Sequence, residues 1–200
     1  MLTTLLLTVA ERARGDAFRF DPTGEEPTLF SLDLQAESSS AAPTADAGNA
    51  DETPLEPYIT YARDFNGTAI GAIGVCMNWF VADDLSVGVF IEAMAVNQTN
   101  DNALGGGGGV LMRWHFHRTE RHSLFAELGV GFAGFSAPVP SEATTTSFTP
   151  RAAVGMSFPI DADSEFSARI GWLHLSNAQT GEQNPGIDAL SVSLALSIEF

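Results

Sequence analysis

The sequence predicts an all-β chain: an eight-stranded antiparallel outer-membrane β-barrel that follows a disordered acidic N-terminal segment. Three observations carry that expectation. From Pro57 onward apolar residues recur at every second position, the period of strands, and helical spacing is absent. The faces opposite those apolar rows hold small or polar residues, with sparse charges at Glu92, Arg113, Glu127, Arg151 and Arg169 suited to pairing inside a lumen. The connections alternate between short and longer, as the two ends of such a barrel do.

The 200 residues suit one domain plus a tail. Acidic residues number 25 against nine basic ones, all arginine, and the net charge of −16 repels nucleic acid. No run approaches the roughly 18 to 20 apolar residues of a transmembrane helix, which excludes a helical membrane protein. The single Cys76 excludes an intrachain disulfide and a cysteine-based zinc cluster. Its context, Ile73-Gly74-Val75-Cys76-Met77, predicts a packed and inert thiol.

Residues 1–20 read as an export segment, with Leu2, Leu5, Leu6, Leu7 and Val9 as its apolar core and Thr8-Val9-Ala10 as a small-x-small cleavage site. Residues 21–56 turn to Pro, Ser, Ala, Thr, Asp and Glu. They bury too little apolar surface to offset their ordering entropy, and a disordered acidic linker is expected. Residues 57–200 form the barrel, with strands expected at 57–65, 69–81, 85–97, 107–118, 123–136, 146–159, 164–177 and 188–200. Eight is the smallest even number for a closed single-chain barrel, and segments of about ten residues cross a bilayer when tilted.

The faces sharpen this. In the last strand Leu190, Val192, Leu194, Leu196, Ile198 and Phe200 oppose Ala189, Ser191, Ser193, Ala195, Ser197 and Glu199. In strand 107–118, Val110, Met112, Trp114 and Phe116 oppose Arg113, His115 and His117. A soluble barrel or sandwich turns its apolar face inward, whereas a membrane barrel turns it to lipid. The short connections (Asp83-Asp84, 119–122, 159–163) and the longer ones (97–106, 138–145, 178–187) favour the membrane, although Asn66-Gly67 is short where a longer loop is expected. So does the terminus Ile198-Glu199-Phe200, which resembles the assembly signal of bacterial outer-membrane barrels.

A chemically distinct set lies on the lipid side. Strand 164–177 puts Phe166, Ala168, Ile170 and Trp172 on one face, and the next residues of that face are His174 and Ser176. Across the following loop, Asp188 shares its face with Leu190 and Val192. A carboxylate and an imidazole at the edge of an apolar band are costly unless they pair, so the default reading is a functional site. Ser176 would attack a carbonyl, His174 would take its proton, and Asp188 would orient the imidazole. Backbone amides after Ser176, with the side chain of Asn177 or Asn184, could hold the oxyanion. A site open to the outer leaflet implies a lipid substrate.

His174-Leu175-Ser176-Asn177, followed by Asn184-Pro185-Gly186-Ile187-Asp188, resembles the signature of the lipid A 3-O-deacylase (PagL) family. That signature is His-x-Ser-Asn, a loop, an Asn-x-Gly-Ile turn and an acid, and the step of 12 residues from Ser176 to Asp188 is similar to the family's. Phe125-Ala126-Glu127-Leu128-Gly129 is similar to its mid-barrel Phe-x-Glu-x-Gly strand. The likeness covers about Pro57 to Phe200 and leaves out the acidic segment. The resemblance implies an eight-stranded outer-membrane serine esterase that removes an ester-linked (3-O) acyl chain from lipid A. It implies lipid A or lipopolysaccharide as substrate, the bacterial outer membrane as location, and neither metal nor other cofactor. One residue departs: the family usually has glutamate where this chain has Asp188. Aspartate is one methylene shorter, so the imidazole or the backbone must shift to meet it. Many serine hydrolases use aspartate in this role.

Other motifs carry less. The run Gly105–Gly109 lacks the Lys-Ser/Thr of a phosphate loop and reads as a flexible surface loop entering strand 107–118. His115, His117 and His122 fit a lumen or interface role better than a zinc site, which needs further ligands. No Gly-x-Ser-x-Gly is present, which excludes an α/β-hydrolase. The alternative function is a non-catalytic small barrel with a structural or adhesion role, and the sequence leaves open whether the barrel pairs as a homodimer.

Overall fold

The computed structural model describes residues 53–179 and 185–199. The export segment, nearly all of the acidic linker, Asn184 and the terminal Phe200 lie outside the described residues. Nine strand segments follow one another: β1 (Leu55–Asp64), β2 (Ala69–Ala82), β3 (Leu85–Asn97), β4 (Ala103–Arg118), β5 (Ser123–Phe135), β6 (Thr146–Phe148), β7 (Arg151–Pro159), β8 (Ser164–Leu175) and β9 (Ile187–Ile198). Every pairing is antiparallel between neighbours, and β1 closes on β9, so no open edge is left.

β6 and β7 are one strand broken by a proline. Phe148 opposes Phe132 and Arg151 opposes Gly129, so the register on β5 runs through Thr149-Pro150 without a shift. Pro150 has no N–H to return to the ladder, and the strand assignment lapses there. The barrel is therefore eight-stranded, as expected.

Alternation sorts the side chains onto two surfaces. Outward lie Ile59, Ile73, Ile91, Val110, Val130, Val154, Ile170, Leu190 and Val192, each about half exposed. Inward, a ring of ions joins four strands. Arg113 grips Glu56 through two bonds of 2.7 and 2.8 Å and reaches Glu127 at 2.9 Å. Arg169 bridges the same two carboxylates at 2.8 and 2.7 Å. Beside it, Arg151 pairs with Glu92 and lies over the Phe90 ring, 4.2 Å from its centroid, while Tyr58 donates to Glu92 at 2.9 Å. Polar inside and apolar outside is the order of a membrane barrel. Toward the end with the longer loops, the lumen closes over an apolar plug that includes Ile70, Met94, Val96, Phe135, Val139, Leu173, Leu175 and Ile187. Internal cavities of about 40 and 70 Å³ remain along the lumen, too small for a lipid chain.

Two expectations need correction. The run Gly105–Gly109 is not a loop; β4 begins at Ala103, and the loop expected at 97–106 shrinks to residues 98–102. The strand is bare because neighbouring backbone and the Phe90 ring, 1% exposed, press close to it; a Cβ on Gly109 would first meet Val130 O. A Cβ on Gly109, or on its cross-strand partner Gly131, would lie 2.9 Å from Phe90 Cζ. Bare backbone at those positions makes room for the ring. In addition, Leu55 and Glu56, read as the end of the linker, open β1, where Glu56 carries two of the lumen ion pairs.

Candidate active site

The site is built at the end of β8 and the start of β9, on the outward face and at the rim that carries the longer loops. His174 and Asp188 stand directly opposite in the register. The His174 N–H turns the other way, donating to Pro150 O at 2.9 Å. On the β9 side, His174 and Asp188 are therefore a non-hydrogen-bonded pair, in which Cα atoms approach to about 4.5 Å and side chains come closest. That proximity answers the departure noted in the sequence: the shorter acid reaches. His174 Nδ1 lies 2.8 Å from Asp188 Oδ1.

A second donor fixes the carboxylate. The Trp172 indole N–H donates to the same Asp188 Oδ1 at 2.8 Å, and its ring stacks on the imidazole, with centroids 5.5 Å apart and planes at 28°. The two donors hold the Asp188 carboxylate in place at the rim and favour its charged form. With Asp188 accepting from Nδ1, the imidazole keeps Nε2 as its second, proton-accepting nitrogen. The sequence puts Trp172 on this face without indicating a role for it. The available signal was an indole two residues before the histidine, since a partly buried indole N–H seeks an acceptor.

Ser176 follows His174 by two residues and is half-buried. Although β8 ends at Leu175, a bridge to Phe148 holds the serine backbone: Ser176 N–H donates to Phe148 O at 3.1 Å and Phe148 N–H to Ser176 O at 2.7 Å. Asn177 points the opposite way and is 2% exposed. Its Oδ1 accepts from Gln179 N–H at 3.0 Å, and Ala178 and Gln179 take φ of 50° and 64°, so the chain swings out of the strand immediately after the serine. Asn184 lies outside the described residues. Gly186 brings the chain back with φ of 61°, and a Cβ there would lie 3.2 Å from His174 Cε1.

A second histidine–serine contact, His115 Nδ1 to Ser123 Oγ at 2.7 Å, lies inside the lumen near the opposite rim, with the imidazole between Phe80 and Phe125. Among the described residues no carboxylate hydrogen-bonds that ring, which is buried in the lumen. Among the described residues no group of three or more His, Cys, Asp or Glu is arranged to hold a metal ion. Cys76 is buried, with Asn78 Oδ1 3.4 Å from its sulfur.

A closed barrel with a polar, filled lumen and an apolar outer wall is an outer-membrane protein, and here an imidazole–carboxylate pair stands on that wall. The lipid A 3-O-deacylase (PagL) family model matches residues 71–197, and the chain belongs to that family. It is an ester hydrolase of the outer membrane that deacylates lipid A. Among solved structures, that of the outer membrane enzyme PagL superposes with a TM-score of 0.61 at 16% identity, covering 70% of this chain and 97% of that one. At that identity the likeness is one of fold. The outer membrane protein OprG from Pseudomonas aeruginosa aligns at a TM-score of 0.49 with 11% identity, over 79% of this chain and 99% of that one. The N-terminal β-barrel domain of OprF from the same organism aligns at 0.48 with 12% identity, over 74% and 97%. No curated protein sequence matches the chain.

Proposed function

We propose that this barrel removes the 3-O-linked acyl chain of lipid A by a Ser-His-Asp mechanism, with Ser176 as nucleophile, His174 as general base and acid, and Asp188 as the group that orients the imidazole. The observation that carries this reading is the 2.8 Å pair between His174 Nδ1 and Asp188 Oδ1 on the lipid-facing wall, two residues from a serine on the same face.

In the first half-reaction His174 Nε2 accepts the Ser176 hydroxyl proton as Oγ attacks the ester carbonyl. Asp188 stabilises the imidazolium that forms. Collapse of the tetrahedral intermediate breaks the bond to the sugar oxygen, which takes the proton from His174 and departs as a free hydroxyl. In the second half, water gives a proton to Nε2 and attacks the acyl-serine, releasing a fatty acid and restoring Ser176. Backbone N–H groups after Ser176 stabilise the oxyanion, while the Asn177 side chain, turned to the opposite face, holds the turn instead. The filled lumen leaves the bilayer as the source of substrate, and a lipid already oriented in the leaflet lowers the entropic cost of positioning its ester.

The test is the mass of lipid A from cells producing the barrel. The wild type is expected to yield lipid A lighter by one ester-linked acyl group, and Ser176→Ala to restore the parent mass. Unchanged lipid A from a folded wild-type barrel, in a host with a 3-O-acylated substrate, would leave a structural or adhesive barrel as the better reading.

A further inference from the structure

Resting on the deacylase reading above, we propose that Arg63 is a substrate-binding residue that pairs with a phosphate on the glucosamine disaccharide of lipid A. Arg63 stands on β1 opposite Leu190, which in turn opposes Trp172, so its row lies two residues along β9 from the Asp188–His174 row, on the same face. It is exposed and shares its face with Ile59 and Tyr61, both more than half exposed. Among the described residues no ion pair engages it. The other arginines of the described strands are committed elsewhere: Arg113, Arg151 and Arg169 to lumen carboxylates, and Arg118 to Asp84 at the far rim.

A guanidinium on a lipid-facing row is costly unless its stem lies along the apolar wall and its head reaches the headgroups. The headgroup at this rim is a phosphorylated sugar, and guanidinium binds phosphate through two parallel hydrogen bonds. The surroundings make the position specific. Asp64, Asp101, Glu142 and Asp188 belong to the same end of the barrel and would repel an anionic lipid. Among the described residues, Arg63 is the exposed arginine at this end of the barrel, since Arg121 sits in the turn between β4 and β5 at the opposite rim. Ser176 lies two strands and four register positions from Arg63, roughly 16 Å between Cα atoms. The length of an arginine side chain reduces that span to the scale of a disaccharide, so one sugar headgroup can meet both residues.

The experiment compares hydrolysis of bisphosphorylated and fully dephosphorylated lipid A in detergent micelles by the full-length wild type, Arg63→Gln and Arg63→Lys. For the wild type, loss of the phosphates is expected to raise KM about tenfold with kcat nearly unchanged, the scale of one charge-assisted contact. Arg63→Gln should show that raised KM on the phosphorylated lipid and no further rise on the other. Arg63→Lys, a charge without the fork, should keep part of the preference. Heat-modifiable migration on gels reports that each barrel is folded. An equal rise in KM on both lipids for Arg63→Gln would make the residue a general membrane anchor and overturn the proposal, as would a wild type indifferent to the phosphates. A wild type that cleaves neither lipid overturns the deacylase reading itself.

Discussion

His174 and Asp188 meet as a directly opposed cross-strand pair, Nδ1 to Oδ1 at 2.8 Å, on the outer wall of a barrel whose interior is filled. The contact is short because the backbone bonds of His174 are spent on the opposite strand, toward Pro150. A carboxylate any farther along β9 would need a longer stem. Asp188→Asn keeps the shape and removes the charge that stabilises the imidazolium, and kcat is expected to fall roughly 10³- to 10⁴-fold. Asp188→Glu retains the charge and should keep clearly more activity than the asparagine variant. Equal loss in both would exclude Asp188 from the proton chain.

Trp172→Phe tests the second donor. Phenylalanine keeps the stack on the imidazole and deletes the bond to Asp188 Oδ1, so a fall of about tenfold in kcat with KM unchanged is expected. A change in KM alone would assign Trp172 to lipid contact instead.

The turn into β9 limits what can sit beside the imidazole. Gly186→Ala adds a Cβ 3.2 Å from His174 Cε1, in a backbone with φ of 61° that L side chains rarely adopt. Activity is expected to drop at least tenfold while the barrel still folds, since the change is confined to the rim. Gly109→Ala differs in kind. Its Cβ presses on the β5 backbone at Val130 O and Gly131 Cα as well as on the Phe90 ring, and loss of folded barrel, read from heat-modifiable migration, is the expected outcome.

These cases show what the sequence made legible. Leu190 through Leu196 alternate cleanly with Ser191, Ser193 and Ala195, and the structure keeps both faces as expected. His174 and Ser176 fall outward by the same count. The glycine run hides its strand, because five residues without side chains show no alternation although the backbone there belongs to β4. Nor does spacing reveal which nitrogen and oxygen meet. The Trp172 bond to Asp188 depends on the register between β8 and β9, which the loop between them sets. Val139, part of the apolar plug, comes from a loop whose own sequence carries no period at all.

Removing one partner of the lumen network leaves the others with an uncompensated charge. Glu127→Gln strips a carboxylate shared by Arg113 and Arg169, and Glu56 alone must then serve both arginines. A loss of about 3–5 kcal/mol is expected, measured as a lower denaturant midpoint in detergent micelles. Full activity in whatever fraction remains folded would separate this role from catalysis.

The outward orientation has its own check. Cysteines placed at Val192 and Ser193 should part company, the first reacting with a lipid-soluble maleimide and the second, 8% exposed in the lumen, staying protected. The native thiol does not interfere, because Cys76 is buried. Equal labelling at both positions would contradict the assignment of the two faces.

The most direct measurement is of the covalent step. Wild-type barrel mixed with lipid A, quenched in acid during turnover and digested, is expected to yield a peptide containing Ser176 that is heavier by one acyl group. The adduct should be absent from Ser176→Ala and depleted in His174→Ala. An acyl group found on another residue, or hydrolysis undiminished in Ser176→Ala, would contradict a serine esterase acting from the lipid-facing wall.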